Sequence, residues 1–222
     1  EGMSAADPQE MLRAVATSGA QVRASRTATR EAALEPLAFD ERPRAIVVTG
    51  MGGSGISGDV LAAIAGINCP VPIVVHRGYG LPGWVGAADL VMTVSCSGTT
   101  AETLTAAAEA ARRGARMLGV GAADSQLEAQ CRTGGGAFVP VVKELSPRSS
   151  LWALAVPLLV AGARFGRLYL GPDDVALEFS SGRTVTSDTV TAASADAVIA
   201  FVRESAALDT VAAPAVAAAL ED

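Results

Sequence analysis

Apolar positions along the 222-residue chain fall into two recurring patterns. The first is a set of short, unbroken, β-branched runs: Ala45 to Thr49, Val71 to Val75, Leu90 to Ser95, Met117 to Val120 and Ala137 to Val142. The second is a helical spacing that follows most of these runs, over Ile56 to Ala65, Thr100 to Arg113, Asp124 to Arg132 and Arg148 to Phe165. Short apolar runs without alternation fit strands covered on both faces, and strands alternating with helices fold as a parallel sheet. The pattern predicts an α/β protein with a flavodoxin-like, doubly wound, five-stranded parallel sheet. Ahead of it, Met11, Leu12, Val15, Ala20 and Val22 interleaved with charges predict an opening helix over residues 8 to 37. Beyond Gly171 the signal weakens into a polar stretch, Ser180 to Thr191, and two Ala-rich helical patterns, Asp196 to Leu208 and Pro214 to Leu220. The predicted organisation is a helical segment over 1–40, the α/β domain over 41–167 and a short α-rich region over 168–222.

Half of the residues are hydrophobic, enough for a full core. The balance of 17 Lys+Arg against 23 Asp+Glu offers no broad attraction to nucleic acid or to an anionic membrane, so the expected partners are small anions met locally. Cys69, Cys96 and Cys131 are odd in number and scattered, which predicts neither a disulfide framework nor a zinc site; with one histidine and no spaced carboxylate motif, no metal is expected. The longest apolar run, Leu151 to Ala163, is too short to span a bilayer and contains Pro157. No secretory signal pattern opens the sequence, and scattered cysteines read as reduced thiols fit an expected cytoplasmic location. Position 1 is Glu and the first methionine is Met3, which raises the expectation of a piece of a longer protein.

The candidate chemistry sits in two loops. The first predicted strand ends in Gly50-Met51-Gly52-Gly53-Ser54-Gly55-Ile56-Ser57-Gly58-Asp59, where glycines allow close backbone approach and the following helix presents free N–H groups to an anion. Ser54 and Ser57 add hydroxyls. The third ends in Ser95-Cys96-Ser97-Gly98-Thr99-Thr100-Ala101-Glu102-Thr103, a second hydroxyl-rich turn at a helix start. Alone it reads as a capping box with Thr99 as N-cap and Glu102 three residues on. Together, the carboxyl ends of the first and third strands mark the switch point where open α/β sheets bind ligands. Gly50-x-Gly52-x-x-Gly55 also matches the dinucleotide fingerprint. The second strand, however, ends in His76-Arg77 instead of an acid that would hold a ribose. Arg77 would suit a 2′-phosphate, but an NADP site leaves the Ser/Thr loop unexplained.

The order Gly52-Gly53-Ser54 with Ser57-Gly58-Asp59, then Arg77-Gly78-Tyr79-Gly80-Leu81-Pro82, then Ser95 to Thr103, and finally Pro147-Arg148, resembles sugar isomerase (SIS) domains. Within that superfamily it is most similar to the bifunctional phosphoglucose/phosphomannose isomerases, over roughly residues 8 to 165, and Gly19-Ala20-Gln21-Val22-Arg23 resembles actinobacterial members. The resemblance implies a sugar phosphate held by Ser95, Ser97, Gly98, Thr99 and Thr100, with Gly52, Gly53 and Ser54 forming the sugar's loop. It implies a catalytic Arg148, whose charge would stabilise the enediolate oxygen, no cofactor or metal, and pairing into a homodimer.

Aldose–ketose isomerisation also needs a base for the proton moved between C2 and C1 and a group to open the ring. Family members keep a glutamate and a histidine for this in a second SIS domain, and no second Ser/Thr loop is visible in this sequence. His76 reads as a surface or structural residue, Glu102 as a cap, and Glu144 and Glu178 lack a partner pattern. Two functions remain open: an isomerase of glucose 6-phosphate and mannose 6-phosphate, or part of one, and a noncatalytic phosphosugar-binding module.

Overall fold

The computed structural model describes residues 17–38, 42–66, 69–141 and 149–165, together with two short strands at 177–178 and 184–185. Five strands, β1 (Ile46–Thr49), β2 (Ile73–His76), β3 (Leu90–Ser95), β4 (Arg116–Ala122) and β5 (Ala137–Val141), pair in the order β2-β1-β3-β4-β5. Every neighbouring pair is parallel. This is the flavodoxin-like order expected from the sequence, with the switch point between β1 and β3. Thr49 stands opposite both His76 and Thr93.

Helices α1 (Ser18–Glu31), α2 (Gly52–Ala65), α3 (Ala101–Arg112), α4 (Gln126–Thr133) and α5 (Leu151–Phe165) complete the described order. On one face of the sheet, Val47, Val91 and Met117 pack with Ala106, Ala107 and Ala110 of α3 and Leu127 and Cys131 of α4. The small α3 side chains let that helix approach the strands closely. On the other face, Gly58 of α2 lies against Val48 and Val75. Both faces are therefore covered, which is why β1, β3 and β4 read as unbroken apolar runs. Cys131 is fully buried, and burial pushes its thiol up to about 11, so it packs as an inert apolar group.

Element boundaries depart from expectation where local chemistry decides. The opening helix stops at Glu31, and a 3-10 turn at Glu35–Leu37 follows, because Pro36 lacks an N–H and disfavours helical geometry before it. β2 starts at Ile73, after Pro72, whose carbonyl accepts the Ile46 N–H at 2.9 Å. Asp89 is fully buried before β3 and is satisfied by Arg44 Nε at 2.9 Å and the Gly86 N–H at 2.8 Å. By internal contacts the chain divides into two compact units, and the sheet lies within Ser25–Tyr169. The other unit comprises Glu1–Ala24 and Leu170–Asp222; it contains a short antiparallel pair, Leu177–Glu178 with Thr184–Val185. The helical patterns over 8–16, 196–208 and 214–220 lie outside the described residues.

Candidate functional site

β3 delivers Ser95 to the carboxyl edge of the sheet, 1% exposed, and the turn that follows folds back on it. The Gly98 N–H donates to the Ser95 carbonyl at 3.0 Å and lies 3.1 Å from its hydroxyl. Ser95 Oγ is 2.8 Å from Thr100 Oγ1 and 3.4 Å from Ser97 Oγ, while the Thr99 hydroxyl and N–H donate to Ser97 Oγ at 3.1 and 3.3 Å. Ser97 and Thr99 are exposed and Thr100 is half-buried. α3 starts at the next residue, and the N–H groups of its first turn have no partner within the helix. Four hydroxyls and a positive helix end therefore converge on one turn, a donor set suited to a phosphate.

The expected capping box is not formed. The N-cap is Thr100, without a side-chain capping bond, because its hydroxyl is drawn to Ser95 and Thr99 is drawn to Ser97. The side chain that serves the helix is Thr103, whose hydroxyl donates to the Val94 carbonyl at 3.3 Å and ties α3 to β3.

Beyond Gly98, itself a candidate by sequence, the turn has three supports that are not among the sequence candidates: Ser125, Leu127 and Gly121. Gly98 has φ +68°, and a Cβ there would lie 2.2 Å from Ser125 Oγ and 2.3 Å from Ser125 Cβ. Its carbonyl accepts the Leu127 N–H at 3.0 Å, so the start of α4 grips the turn. Gly121 stands opposite Ser95 in the β3–β4 register, and a Cβ there would meet the Ser95 carbonyl at 2.2 Å. The alternating glycines of Arg116-Met117-Leu118-Gly119-Val120-Gly121-Ala122 were the available signal, since a glycine inside a strand marks close approach.

α4 is held in its gripping position by its own cap. Ser125 accepts the Glu128 N–H at 3.3 Å, and Glu128 accepts the Asp124 N–H at 2.7 Å and Arg132 Nε at 2.9 Å. Partial burial works against the Glu128 carboxylate, but Arg132 and the Asp124 N–H outweigh it and hold its pKa below the ordinary value. A carboxyl depressed on folding stabilises above its unfolded pKa, and that contribution fades as pH falls through the lower folded value. Glu128→Gln is therefore expected to cost about 0.5–1 kcal/mol at pH 7, a screened ion-pair magnitude. Denaturant melts as a function of pH should show the gap between wild type and variant closing below about pH 4.

The Gly50 loop is shorter than its sequence suggests. α2 begins at Gly52, so Gly53, Ser54 and Gly55 form its first turn, and the Met51 carbonyl accepts the Ser54 and Gly55 N–H groups. Gly52 is exposed, Gly53 half-buried and Ser54 buried. Ser54 Oγ accepts the Cys96 N–H at 3.2 Å, a direct bond between the two candidate loops. Ser57, expected to offer a hydroxyl to ligand, is fully buried and donates to the Ser54 carbonyl at 2.6 Å. Arg77 is paired with Asp59 and reaches the Gly55 carbonyl. To hold an adenosine 2′-phosphate it would have to leave Asp59, whose charge would then oppose the phosphate.

Arg148 and Glu144 lie outside the described residues. Ser150, at the start of α5, is 1% exposed, with its hydroxyl 3.8 Å from the Cys96 sulfur of the Ser/Thr loop. Glu102 is half-buried in the first turn of α3, and Glu178 lies in the other unit. His76 Nε2 is buried without a hydrogen-bond partner, as is the hydroxyl of Thr49 opposite it. Among the described residues no three His, Cys, Asp or Glu side chains cluster as a metal site, and no helix is long and apolar enough to cross a membrane.

No protein-family model matches the chain. Among curated proteins, it is 33% identical over 121 residues to the bifunctional phosphoglucose/phosphomannose isomerase of Caldicellulosiruptor bescii, covering 54% of this chain and 35% of that protein. It is 32% identical over 114 residues to the enzyme of the same name from Thermoplasma acidophilum, covering 51% of this chain and 34% of that one. The chain thus spans about a third of the length of these relatives. Among solved structures, the C-terminal domain of glucosamine-fructose-6-phosphate aminotransferase from Francisella tularensis superposes with a TM-score of 0.59 at 17% identity, over 90% of this chain and 56% of that one. A protein of Silicibacter pomeroyi assigned as a phosphosugar isomerase gives 0.53 at 20% identity, over 74% and 51%. The chain has the sugar isomerase fold and, over about half its length, is similar in sequence to bifunctional phosphoglucose/phosphomannose isomerases.

Proposed function

We propose that this chain binds a sugar phosphate as part of an aldose–ketose isomerase that interconverts glucose 6-phosphate or mannose 6-phosphate with fructose 6-phosphate. The phosphate occupies the cradle of Ser95, Ser97, Gly98, Thr99 and Thr100, and the sugar lies along Gly52, Gly53 and Ser54. The observation that carries this reading is the buried Ser54 to Cys96 hydrogen bond, which ties the two loops together at the sheet edge. The donors are neutral hydroxyl and N–H groups at a helix N-terminus, which favour a compact dianion.

Arg148 is the catalytic residue in this proposal. Its cation stabilises the negative charge that develops on the enediolate oxygen. Support comes from sequence proximity: Ser150 touches Cys96, and two residues of chain span at most ~7 Å. The base and the ring-opening group are not assigned to residues of this chain. On the same reading the protein is cytoplasmic, uses no metal or cofactor, and pairs as a homodimer; exposed Met51 and Ile56 at the start of α2 are in keeping with pairing.

A ligand that binds only the folded state at about 100 times its Kd stabilises by about 2.7 kcal/mol, a readily measured rise in melting temperature. Glucose 6-phosphate, mannose 6-phosphate and fructose 6-phosphate are expected to produce that rise, and NADP is not. If NADP raises the midpoint while the sugar phosphates do not, the proposal fails. Conversion to fructose 6-phosphate is expected to vanish in Arg148→Ala with binding kept. Binding with no turnover when the chain is supplied within its complete reading frame would make it a noncatalytic phosphosugar-binding module.

A further inference from the structure

The first turn of α2 has little local reason to be helical. Four of the first seven residues, Gly52, Gly53, Gly55 and Gly58, are glycines, Met51 supplies no side-chain capping bond, and no acidic residue lies in the first turn. Glycine loses the most freedom on entering a helix, and an uncapped start leaves its N–H groups unpaid for. Something outside the helix must hold this turn in place.

The end of β2 does so at three points. The His76 carbonyl accepts the Gly50 N–H at 3.4 Å. The Arg77 guanidinium pairs with Asp59 and reaches the Gly55 carbonyl from the same nitrogen, at 3.4 Å. Its Nε also lies close beside Gly55, since a Cβ built there would come 3.0 Å from Arg77 Nε. Both ends of the Gly50–Gly55 turn are thus tied to one strand end, the first by backbone and the second by a planar cation.

We infer that Arg77 is a positioning residue for the sugar-holding side of the site: clamped on Asp59, it fixes the turn carrying Gly52, Gly53 and Ser54. The inference rests on the phosphosugar reading for its functional consequence. Side chains of the pair are 42% and 50% exposed, and exposed ion pairs add little to global stability, so the role is local geometry. The Ser/Thr cradle on the far side of β1 shares the Ser54 to Cys96 bond with the turn but also has braces of its own, α4 at Gly98 and Thr103 at Val94. Removal of the clamp should therefore loosen the sugar side and spare the phosphate side. Lysine can pair with Asp59 as a point charge but lacks both the Nε beside Gly55 and the fixed guanidinium fork, so Arg77→Lys should restore only part of the effect.

The test uses amide hydrogen exchange and calorimetry on wild type, Arg77→Ala, Arg77→Lys and Asp59→Asn, with glucose 6-phosphate and inorganic phosphate as probes. Arg77→Ala and Asp59→Asn are expected to speed exchange across 50–59 about tenfold, with β3 and β4 unchanged. They should weaken glucose 6-phosphate about tenfold and inorganic phosphate less than about twofold, with Arg77→Lys between. Unchanged exchange across 50–59 in Arg77→Ala, or equal weakening of both ligands, overturns the inference. Wild-type protein that binds neither ligand overturns the phosphosugar reading instead, and the exchange arm still decides whether Arg77 holds the turn.

Discussion

Gly98→Ala is expected to abolish sugar-phosphate binding and to destabilise the protein by about 2–4 kcal/mol, the sum of a left-handed backbone penalty and an overpacking penalty. Gly98 sits at φ +68°, and a methyl group there would overlap both Cβ and Oγ of Ser125. Ser125 cannot step aside cheaply. It is the N-cap of α4, and the residue two places on holds the Gly98 carbonyl. Relief of the clash moves the turn that gathers Ser95, Ser97 and Thr100. Gly135 is the control: its φ is +72°, but no atom lies within 4 Å of a Cβ built there. Gly135→Ala should cost only the backbone part, about 1–2 kcal/mol, and leave ligand affinity unchanged. Chemical denaturation and calorimetry of the two variants separate strain from clash.

Gly121→Ala is expected to destabilise by about 2–3 kcal/mol and to weaken phosphate-ester binding more than about tenfold, although residue 121 carries no ligand-binding group. The added carbon would lie 2.2 Å from the Ser95 carbonyl, so β3 and β4 must separate at the site edge. That carbonyl accepts the Gly98 N–H, so the cradle opens with it. Gly119, two residues earlier, points into the core, where a Cβ would meet Cys131 Sγ at 2.4 Å and Phe138 at 2.7 Å. Gly119→Ala should cost comparable stability while the folded fraction keeps its ligand affinity. Equal binding losses in the two variants would show that Gly121 acts only through the core.

The sheet was legible because its central strands are covered on both faces and appear as unbroken apolar runs in the sequence, Ile46–Thr49 and Leu90–Ser95 above all. The edge strand β2 starts two residues later than its apolar run, after Pro72, which withholds a donor, and ends one residue later, at His76. Helix starts were the weak point. Gly52 to Gly55 read as loop by propensity, yet tertiary ties make them the first turn of α2. At α3, competition from Ser95 moved Thr100 into the N-cap place and dissolved a capping box whose letters were all present. Ser57 showed the same limit, because its burial against the Ser54 carbonyl depends on helix rotation that the sequence pattern does not fix.

Within the site, the hydroxyl residues were visible as a type and a spacing, and the structure brings Ser95, Ser97, Thr99 and Thr100 together. Of what holds them, only Gly121 leaves a sequence signal, as a glycine inside a strand, while Ser125 and Leu127 act through the placement of α4. Such supports are long-range, and a sequence pattern records local period only. Ser54 is a candidate for ligand by sequence, and its hydroxyl oxygen also accepts the Cys96 N–H, so it joins the loops as well.

The most direct test of the central claim is a titration of isotopically labelled protein with glucose 6-phosphate, followed by amide chemical shifts. The account predicts saturable shifts largest at Ser97, Gly98, Thr99, Thr100 and Ala101, extending to Gly53 and Ser54, with inorganic phosphate moving the first group alone. Shifts centred on the Gly50–Gly55 turn with the Ser95–Thr100 amides unmoved, or no saturable shifts at all, would contradict it.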